Sequence, residues 1–257
     1  MTEYQLGHPV PVGLQAVSPL LEVEGLDAWY GAARILRGVS LQVGRGDVVA
    51  LMGRNGAGKS TTLKAVMGLV KRRVRRLSFM GKDVERLRTF EMAKAGMAYV
   101  PEDRRVFTEL TVDENLALGR LPERRWPDGK PAVNWTREAL YDLFPVLQNL
   151  RHRSAGTLSG GEQQMLTVAR GLMGNPFLLL LDEPSEGVSP IVVEQMVGMI
   201  RALKARGTSI LLSEQNLPFA RRIADRAYVL EKGVIRYSGS MEVLLADEAL
   251  KRQYLTL

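Results

Sequence analysis

The segment GRNGAGKST has the residue types and spacing of a phosphate-binding loop. Gly53 is followed by four residues and then by Gly58, Lys59 and Ser60, which matches G-x-x-x-x-G-K-[ST]. Glycines let successive backbone N–H groups face one anionic ligand, and a following helix adds its positive N-terminal end. The lysine would contact the β and γ phosphates, and the serine hydroxyl would bind Mg²⁺. The candidate nucleotide-binding residues are Gly53, Arg54, Asn55, Gly56, Ala57, Gly58, Lys59, Ser60 and Thr61.

The segment FLLLLDEP places two carboxylates at the end of an apolar run. Asp182 would hold Mg²⁺ directly or through water. Glu183, one residue later, can polarise an attacking water molecule as a general base. Alone, this segment could be an ordinary capped turn. Together with the phosphate-binding loop, it predicts a site for nucleotide hydrolysis.

Two further segments carry polar groups that could act in the same site. In LSGGEQQ, Ser159, Gly160 and Gly161 would open a helix and form a second anion-binding surface, unless they are only an N-cap with a glycine turn. In ILLSEQN, a predicted strand ends near Gln215, a side chain that can form hydrogen bonds but cannot titrate.

The elements that must position these residues alternate along the chain. Short β-branched or leucine-rich runs are separated by longer helical patterns, which predicts a mostly parallel sheet covered by helices. The candidate strands are DVVALMG, MAYVPE, FLLLLDE and TSILLSE. Because ligands bind at the carboxyl ends of the strands in such sheets, we expect the polar groups that follow these strands to converge.

Composition limits the class of protein and of site. The 257 residues, 46% of them hydrophobic, can bury about 70% of the unfolded surface in one large domain. The absence of cysteine excludes disulfides, a thiolate nucleophile and Cys-bound metal. Only His8 and His152 could contribute imidazole, and they are far apart in sequence. Residues 1–20 do not have the pattern of a secretion signal, and we expect a flexible N-terminal extension there. The sequence contains no apolar run of about 18 residues, so it predicts no membrane span.

The net charge of +7 could indicate nucleic acid or anionic lipid as a partner. The basic run KRRVRR at 71–76 has no interleaved aromatic residues that could serve as stacking platforms. We therefore interpret this run as a solvated loop, with nucleic-acid binding as the alternative. Residues 121–137, which are rich in proline, glycine and charge, predict an exposed loop within a mainly helical insertion.

From about residue 21 to its end, the chain resembles the ATP-binding-cassette (ABC) ATPases. The family signature LSGGQ is similar to LSGGEQQ, with Glu162 in place of the glutamine and Gln163 after it. Other matching segments are VPEDRRVF at 100–107, LLLLDEP, SEGVSP and ILLSEQN. Tyr30 is similar to the aromatic residue that stacks on adenine.

The resemblance implies an α/β fold: a P-loop NTPase cassette with a RecA-like core, a mostly parallel sheet and a small antiparallel β part. It places an ABC ATPase domain at residues 21–257, with a helical subdomain inserted at about 100–157. In the family, two cassettes associate head to tail. Ser159, Gly160 and Gly161 would then face the nucleotide that Lys59 of a second subunit holds.

Two departures from the general pattern narrow the subfamily. Glu102 replaces the usual Q-loop glutamine, and Gln215 replaces the usual switch histidine. The resemblance implies that Gln215 senses the γ-phosphate and that Glu102 reports it through Mg²⁺ or the attacking water. Gln215 could instead be a polar strand end facing solvent. Both departures are similar to the LivF-type ATPase of branched-chain amino-acid importers.

The resemblance thus implies ATP and Mg²⁺ as cofactors and uptake of branched-chain or related amino acids as the function. The implied partners are a second ATPase subunit, identical or not, membrane permease subunits, and a periplasmic or extracellular solute-binding protein, but not nucleic acid. The chain would lie peripherally on the cytoplasmic face of the inner membrane. A groove formed by residues 102–118 and the helical subdomain would receive a permease helix. Val106 and Phe107 would line this groove, unless both belong to the core.

Three alternatives remain open at this point. Cassettes of urea or amide importers and of lipopolysaccharide export are similar, although we expect histidine in place of Gln215 in the export cassette. A soluble nucleic-acid-acting cassette is more distant, because such proteins usually carry two cassettes or a long coiled coil, for which 257 residues leave no room. The transported solute cannot be read from the chain, since its contacts belong to the permease and the binding protein.

Overall fold

The structure is a computed structural model that describes residues 19–254. The expected N-terminal extension of residues 1–20 therefore lies almost wholly outside the described residues. The described strands are β1 (Leu21–Tyr30), β2 (Ala33–Val43), β3 (Val48–Met52), β4 (Lys71–Arg73), β5 (Arg76–Phe79), β6 (Lys82–Asp83), β7 (Met97–Val100), β8 (Leu178–Asp182), β9 (Ser209–Glu214), β10 (Arg226–Glu231) and β11 (Val234–Ser240).

The helices cover the sheets and connect their strands. They are α1 (Lys59–Val66), α2 (Thr89–Ala95), α3 (Val112–Leu118), α4 (Arg137–Leu143), α5 (Pro145–Asn149), α6 (Gly160–Leu172), α7 (Pro190–Ala205), α8 (Leu217–Ala220), α9 (Met241–Ala246) and α10 (Glu248–Tyr254), with a short 3-10 helix at Ala155–Thr157. Within residues 19–254, no helix is both long enough and apolar enough to cross a bilayer.

A six-stranded sheet forms the centre of the molecule, in the order β11-β10-β3-β9-β8-β7. All neighbouring pairs are parallel except β10 and β11. The four strands expected from the sequence, β3, β7, β8 and β9, are therefore confirmed. Every residue of β3, β8 and β9 is buried, which explains why these strands have continuous apolar runs and not an alternating pattern.

The two faces of this sheet belong to two separate hydrophobic cores. Leu179 and Leu181 of β8 lie in the core that contains α6 and α7. Leu178 and Leu180 lie in the other core, with α1 and the strands of the second sheet. Because successive strand residues point to opposite faces, one leucine run supplies both cores. The carboxyl ends of β3, β8 and β9 consequently share one edge of the sheet.

The second sheet is antiparallel, with the order β2-β1-β5-β6 and with β4 also paired to β1. It corrects the interpretation of residues 71–76 as a solvated loop, because β4 pairs with β1 over Asp27–Trp29 and β5 begins at Arg76. The main chain of the basic run thus forms ladder hydrogen bonds.

Two side chains of this basic run, Arg72 and Arg73, contact other parts of the fold. Arg72 donates to the carbonyls of Ala65 and Val66 at the end of α1 and to Glu85 O at 2.7 Å. Arg73 contacts the buried carboxylate of Asp27 at 3.0 Å. A cation at a helix C-terminus satisfies carbonyls that have no partner within the helix. Arg72 and Arg73 therefore make contacts within the fold, while the side chains of Lys71, Arg75 and Arg76 remain exposed.

Helices α3, α4 and α5 and the 3-10 helix all lie between β7 and α6. The boundaries of a helical subdomain at about 100–157 stay a prediction. The loop before α4 is mostly exposed, as expected, but Trp135 is fully buried and Trp126 packs on Phe177 with ring centroids 4.6 Å apart. Composition alone did not indicate these two aromatic anchors.

Asn175 ties both ends of this loop together. Its Oδ1 accepts from Trp135 N at 2.7 Å, and its Nδ2 donates to the carbonyls of Leu121 and Pro122 at 3.0 and 3.3 Å. Asn175 is buried and has a φ of +50°, a conformation that asparagine tolerates better than most residues. One amide therefore closes the base of a loop of about 15 residues, whose closure otherwise costs chain entropy.

We predict that Asn175→Ala lowers the free energy of unfolding by about 2–4 kcal/mol, because it leaves buried backbone groups unpaired. The change is measured by urea unfolding. Asn134→Ala, which removes an exposed amide that donates to Glu123, should change the free energy by less than about 0.5 kcal/mol. Equal effects of the two substitutions would contradict the role of Asn175.

Candidate active site

The predicted phosphate-binding loop connects the end of β3 to the start of α1. Gly58 has a φ of +109°, and a Cβ there would lie 2.8 Å from Leu36. At Gly53, with a φ of +152°, a Cβ would collide with the carbonyl oxygen of Leu230. Both glycines of the motif are therefore required by backbone conformation and by close packing. Between them, residues 54–57 border a cavity of about 280 Å³.

Lys59 and Glu183 form a buried ion pair. The Nζ atom of Lys59 lies 3.0 Å from Oε1 of Glu183 and 3.3 Å from the carbonyl oxygen of Arg54. Only 3% of Lys59 and 7% of Glu183 are exposed. The first residue of α1 and the residue after β8 are thus brought together across β9, which lies between β3 and β8. Because burial of an isolated charge is very unfavourable, each side chain requires the other until a ligand replaces it.

Asp182 is held by two hydroxyl groups that the sequence analysis did not select. Its Oδ1 accepts from Ser213 Oγ at 2.6 Å, and its Oδ2 accepts from Tyr99 Oη at 2.7 Å. Burial, followed by the charge and hydrogen bond of Asp182, raises the pKa of Tyr99, so this hydroxyl remains a donor. The two hydroxyls lie on the neighbouring strands β9 and β7, and they fix the orientation of the carboxylate.

The backbone of Glu183 adopts an uncommon conformation, with a φ of +45°. Its N–H donates to the carbonyl and hydroxyl oxygens of Ser213, both at 3.1 Å. A left-handed conformation at a non-glycine residue is unfavourable, and it persists where neighbours impose it. Here it turns the Glu183 side chain from the strand end towards Lys59.

Glu186 is a third acidic residue of this cluster; its segment SEGVSP matches the family, but the sequence analysis assigned it no role. Burial alone would raise the pKa of Glu183, but hydrogen bonds from Glu186 and Lys59 and the charge of Lys59 hold it below its usual value. The hydrogen bond with Glu183, partial burial and the charges of Glu183 and Glu102 raise the pKa of Glu186 to about 7. Below about pH 7, Glu186 therefore holds the proton of the pair, and Glu183 stays ionised, as a general base must.

Glu214 organises the strand end that carries Gln215. It is buried, and it accepts hydrogen bonds from the N–H groups of Ser185, Gln215 and Asn216 at 3.0–3.1 Å. Burial raises the pKa of Glu214 despite these hydrogen bonds. Among the described residues, Gln215 Oε1 is one of few buried side-chain atoms without a partner. Gln215 thus carries a buried acceptor that is not used by the described residues, at this edge of the sheet.

The proposed metal ligands Ser60, Asp182 and Glu102 lie on three different elements. Within residues 19–254, no cluster of three or more acidic or histidine side chains could hold a metal by itself. Mg²⁺ usually takes only one or two protein carboxylates and keeps phosphate or water as its other ligands. The oriented carboxylate of Asp182 fits that use, because each oxygen accepts one hydrogen bond and retains further acceptor capacity.

Ser159, Gly160 and Gly161 begin α6. Ser159 Oγ accepts from Glu162 N at 3.3 Å, while the Glu162 carboxylate accepts from Ser159 N at 2.7 Å. This capping box explains the glutamate in LSGGEQQ. A Cβ at Gly161 would lie 2.5 Å from Val192, so α7 approaches closely at this point.

The remaining predicted residues stay on the surface. Tyr30 ends β1 and is about half exposed, so its ring is accessible to a planar ligand. Glu102 is exposed after β7, close enough to Glu186 for its charge to influence the pKa of that residue. The structure therefore gathers Lys59, Glu183 and Glu186 in one cluster, with Glu102 nearby.

Comparison with known proteins agrees with this geometry. The profile of the ABC transporter family matches residues 36–186, which include the phosphate-binding loop, LSGGEQQ and the two carboxylates after β8. The chain belongs to the ABC transporter family. It is an ABC ATPase, and its cassette binds nucleotide.

Several relatives are similar to this ABC cassette in sequence over nearly their whole length. The branched-chain amino acid transport ATP-binding protein BraG of Pseudomonas aeruginosa is 39% identical, over 92% of this chain and 99% of its own. A probable LivF protein of Archaeoglobus fulgidus is 36% identical, over 91% and 97%. The lipopolysaccharide export protein LptB of Haemophilus influenzae is 35% identical, over 92% and 97%.

A solved ATP-binding cassette of an ABC transporter in its ADP conformation has the same fold. Its TM-score is 0.75 at 28% identity, with 92% of this chain and 98% of that chain covered. The expected fold class, with a mostly parallel sheet and a small antiparallel part, is confirmed.

We predict that Glu186→Gln changes the pH dependence of stability. The pKa of Glu186, about 7, is above the ordinary 4.5, so its stabilising effect is complete below 4.5 and is lost as the pH rises through 7. A glutamine amide can donate to Glu183 at every pH. The Tm of the variant minus that of the wild type should therefore be higher at about pH 8 than at about pH 5. Exposed Glu109→Gln is the control, and a pH-independent difference for Glu186→Gln would contradict the shared proton.

We predict a second pH effect at Gln215. Gln215→His should acquire an ionisation in kcat near the usual histidine pKa, about 6.5, that the wild type lacks. Gln215→Ala should lower kcat by about 10-fold to 150-fold if the amide contacts a charged group only in the transition state. Asn216→Ala is the matched control, because that amide caps α8. If Gln215→Ala keeps the wild-type kcat throughout the pH series, Gln215 has no role in hydrolysis and is only a polar strand end.

Proposed function

We propose that this ABC ATPase energises an importer of branched-chain or related amino acids. The observation that carries the hydrolytic part is the buried pair of Lys59 and Glu183, which joins the phosphate-binding loop to the expected general base. The relatives BraG and LivF, named for branched-chain amino acid transport, support the choice of solute class.

The geometry indicates how binding would prepare hydrolysis. A phosphate oxygen that reaches Lys59 competes with Glu183 for the ammonium group. Glu183 would then be released to accept a hydrogen bond from the attacking water, while Glu186 retains the proton they share. Gln215 would orient the same water through its buried amide oxygen. Ser60 and Asp182 would hold Mg²⁺, which supplies positive charge at the phosphates.

The second anion-binding surface supports a composite site. Ser159 caps the start of α6 and is exposed, and Gly160 and Gly161 in its first turn are partly exposed, at the positive end of the helix dipole. We propose that they bind the nucleotide held by a second cassette arranged head to tail. The partner cassette can be identical or a related chain.

An apolar groove is the proposed docking surface for a permease. It has a volume of about 760 Å³ and lies between α2 and α6, so it differs from the expected groove of residues 102–118, of which only Arg105 lines it. Phe90, exposed to 47%, lines it, and Phe107, exposed to 52%, lines a smaller adjoining cavity. Val106, in contrast, is half-buried against the core. Of the two apolar residues expected to dock a permease helix, only Phe107 therefore offers an exposed surface.

This arrangement would place the chain peripherally on the cytoplasmic face of the inner membrane, with a solute-binding protein on the opposite side. Lipopolysaccharide export is the principal alternative, because LptB is 35% identical. Gln215, where we expect histidine in that export cassette, favours the importer. Co-purification with a branched-chain permease or with an export permease separates the two, and RNA-stimulated hydrolysis would favour a nucleic-acid-acting cassette.

We predict that Glu183→Gln keeps ATP affinity but lowers kcat by about 10²-fold or more, the usual effect of removing a general base. The variant should also accumulate as an ATP-bound dimer. Hydrolysis is measured by phosphate release, and dimer formation by size-exclusion chromatography with ATP. Exposed Glu242→Gln is the matched control. Near wild-type turnover would exclude Glu183 as the base, and a monomer at micromolar concentration would argue against the composite site.

A further inference from the structure

Arg104 connects two loops that the proposed function assigns to different nucleotides. Its Nη2 donates to the carbonyl oxygen of Gly187 at 3.1 Å. On the other side, the guanidinium lies against Gly160, where an added Cβ would be 3.1 Å from Cζ and closer still to Nη1. Gly187 directly follows Glu186 of the hydrolytic cluster, whereas Gly160 directly follows Ser159. One side chain thus touches both loops.

The main chain around Arg104 is also attached to α6. Thr167 Oγ1 donates to the carbonyl oxygen of Arg104 at 2.7 Å, and Arg170 donates to the carbonyl oxygen of Arg105. Arg104 has a φ of +55°, an unfavourable conformation that these contacts maintain. The segment after β7 therefore cannot shift without moving α6 or breaking these hydrogen bonds.

We propose that Arg104 is a positioning residue that couples the hydrolytic cluster of one cassette to the Ser159–Gly161 surface that completes the partner's site. The inference rests on the head-to-tail dimer proposed above. Glu102, two residues earlier, is close enough for its charge to influence the pKa of Glu186, and Gly187, which Arg104 holds, directly follows Glu186. Through Gly187 and Gly160, the guanidinium transmits a change at Glu186 to the start of α6.

The chemistry explains why an arginine is suited to this position. A planar guanidinium has two separate arms in a fixed geometry, so Nη2 can bind a carbonyl while the Nη1 arm lies against a second backbone. A lysine ammonium is one compact group without two separate arms, so it cannot do both. Gly160 leaves room for the guanidinium because it has no side chain.

The neighbouring Arg105 is a matched control. Its Nε pairs with Asp103 at 2.8 Å, and its side chain is mostly exposed. Its side chain makes no hydrogen bond to Gly187 or to the start of α6 among the described residues. Arg105→Ala therefore removes the same charge from the same segment without breaking the connection.

The experiment compares Arg104→Ala, Arg104→Lys and Arg105→Ala in the full chain carrying Glu183→Gln. ATP-dependent dimerisation is followed by sedimentation over a range of protein concentrations, and nucleotide affinity of the monomer by a fluorescent ATP analogue. Arg104→Ala should require about tenfold or more protein for half-dimerisation, the scale of one lost charged hydrogen bond. The affinity of its monomer for the ATP analogue should stay within about twofold of that of the reference, the chain that carries Glu183→Gln alone.

Arg104→Lys should weaken the dimer by less than Arg104→Ala, and Arg105→Ala should match the reference. Reference-like dimerisation of Arg104→Ala would overturn the proposal, as would an equal loss in monomer affinity. If Arg104→Ala does not fold, reference-like dimerisation of Arg104→Lys overturns it. If the Glu183→Gln reference itself remains monomeric with ATP, the head-to-tail dimer fails and this inference fails with it.

Discussion

The buried ion pair between Lys59 and Glu183 is the interaction on which the arrangement of the site depends. Two charges inside a protein are tolerated only when each is paired at close range. The pair joins the start of α1 to the residue after β8, so it requires β3, β9 and β8 to end at the same level. Ser213 on the middle strand completes this requirement, because it binds both Asp182 and the backbone of Glu183.

Arginines that bind backbone carbonyls hold the periphery around this centre. Arg72 covers the end of α1, Arg124 donates to the carbonyls of Ala93 and Lys94 at the end of α2, and Arg170 holds the segment after β7. Burial lowers the pKa of each of these three guanidinium groups. Part of the excess positive charge of the chain thus stabilises the fold. A charge count alone would have assigned it to the binding of an external partner.

The sequence predicted the main strands, and it selected Lys59 and Glu183, which the structure brings together, because these signals are local. A phosphate-binding loop is a short contiguous motif, and a fully buried strand is a short apolar run. The interpretation of residues 71–76 as a loop was wrong, because pairing with β1 and the partners of Arg72 and Arg73 come from distant parts of the chain. Glu186 and Arg104 lie in the matching segments SEGVSP and VPEDRRVF, but their roles were missed for the same reason, since a short segment does not specify its distant neighbours.

By itself, the sequence determined the family, the strand and helix alternation, and the residue types available for phosphate, metal and water. These follow from motifs and periodicities that span only a few residues. Only the tertiary structure decided which charges share a proton, which amide oxygen is left without a partner, and which arginine touches two loops. Such properties depend on distances and burial between elements far apart in sequence. Packing, rather than any motif, sets the pKa of Glu186 and the position of Arg104.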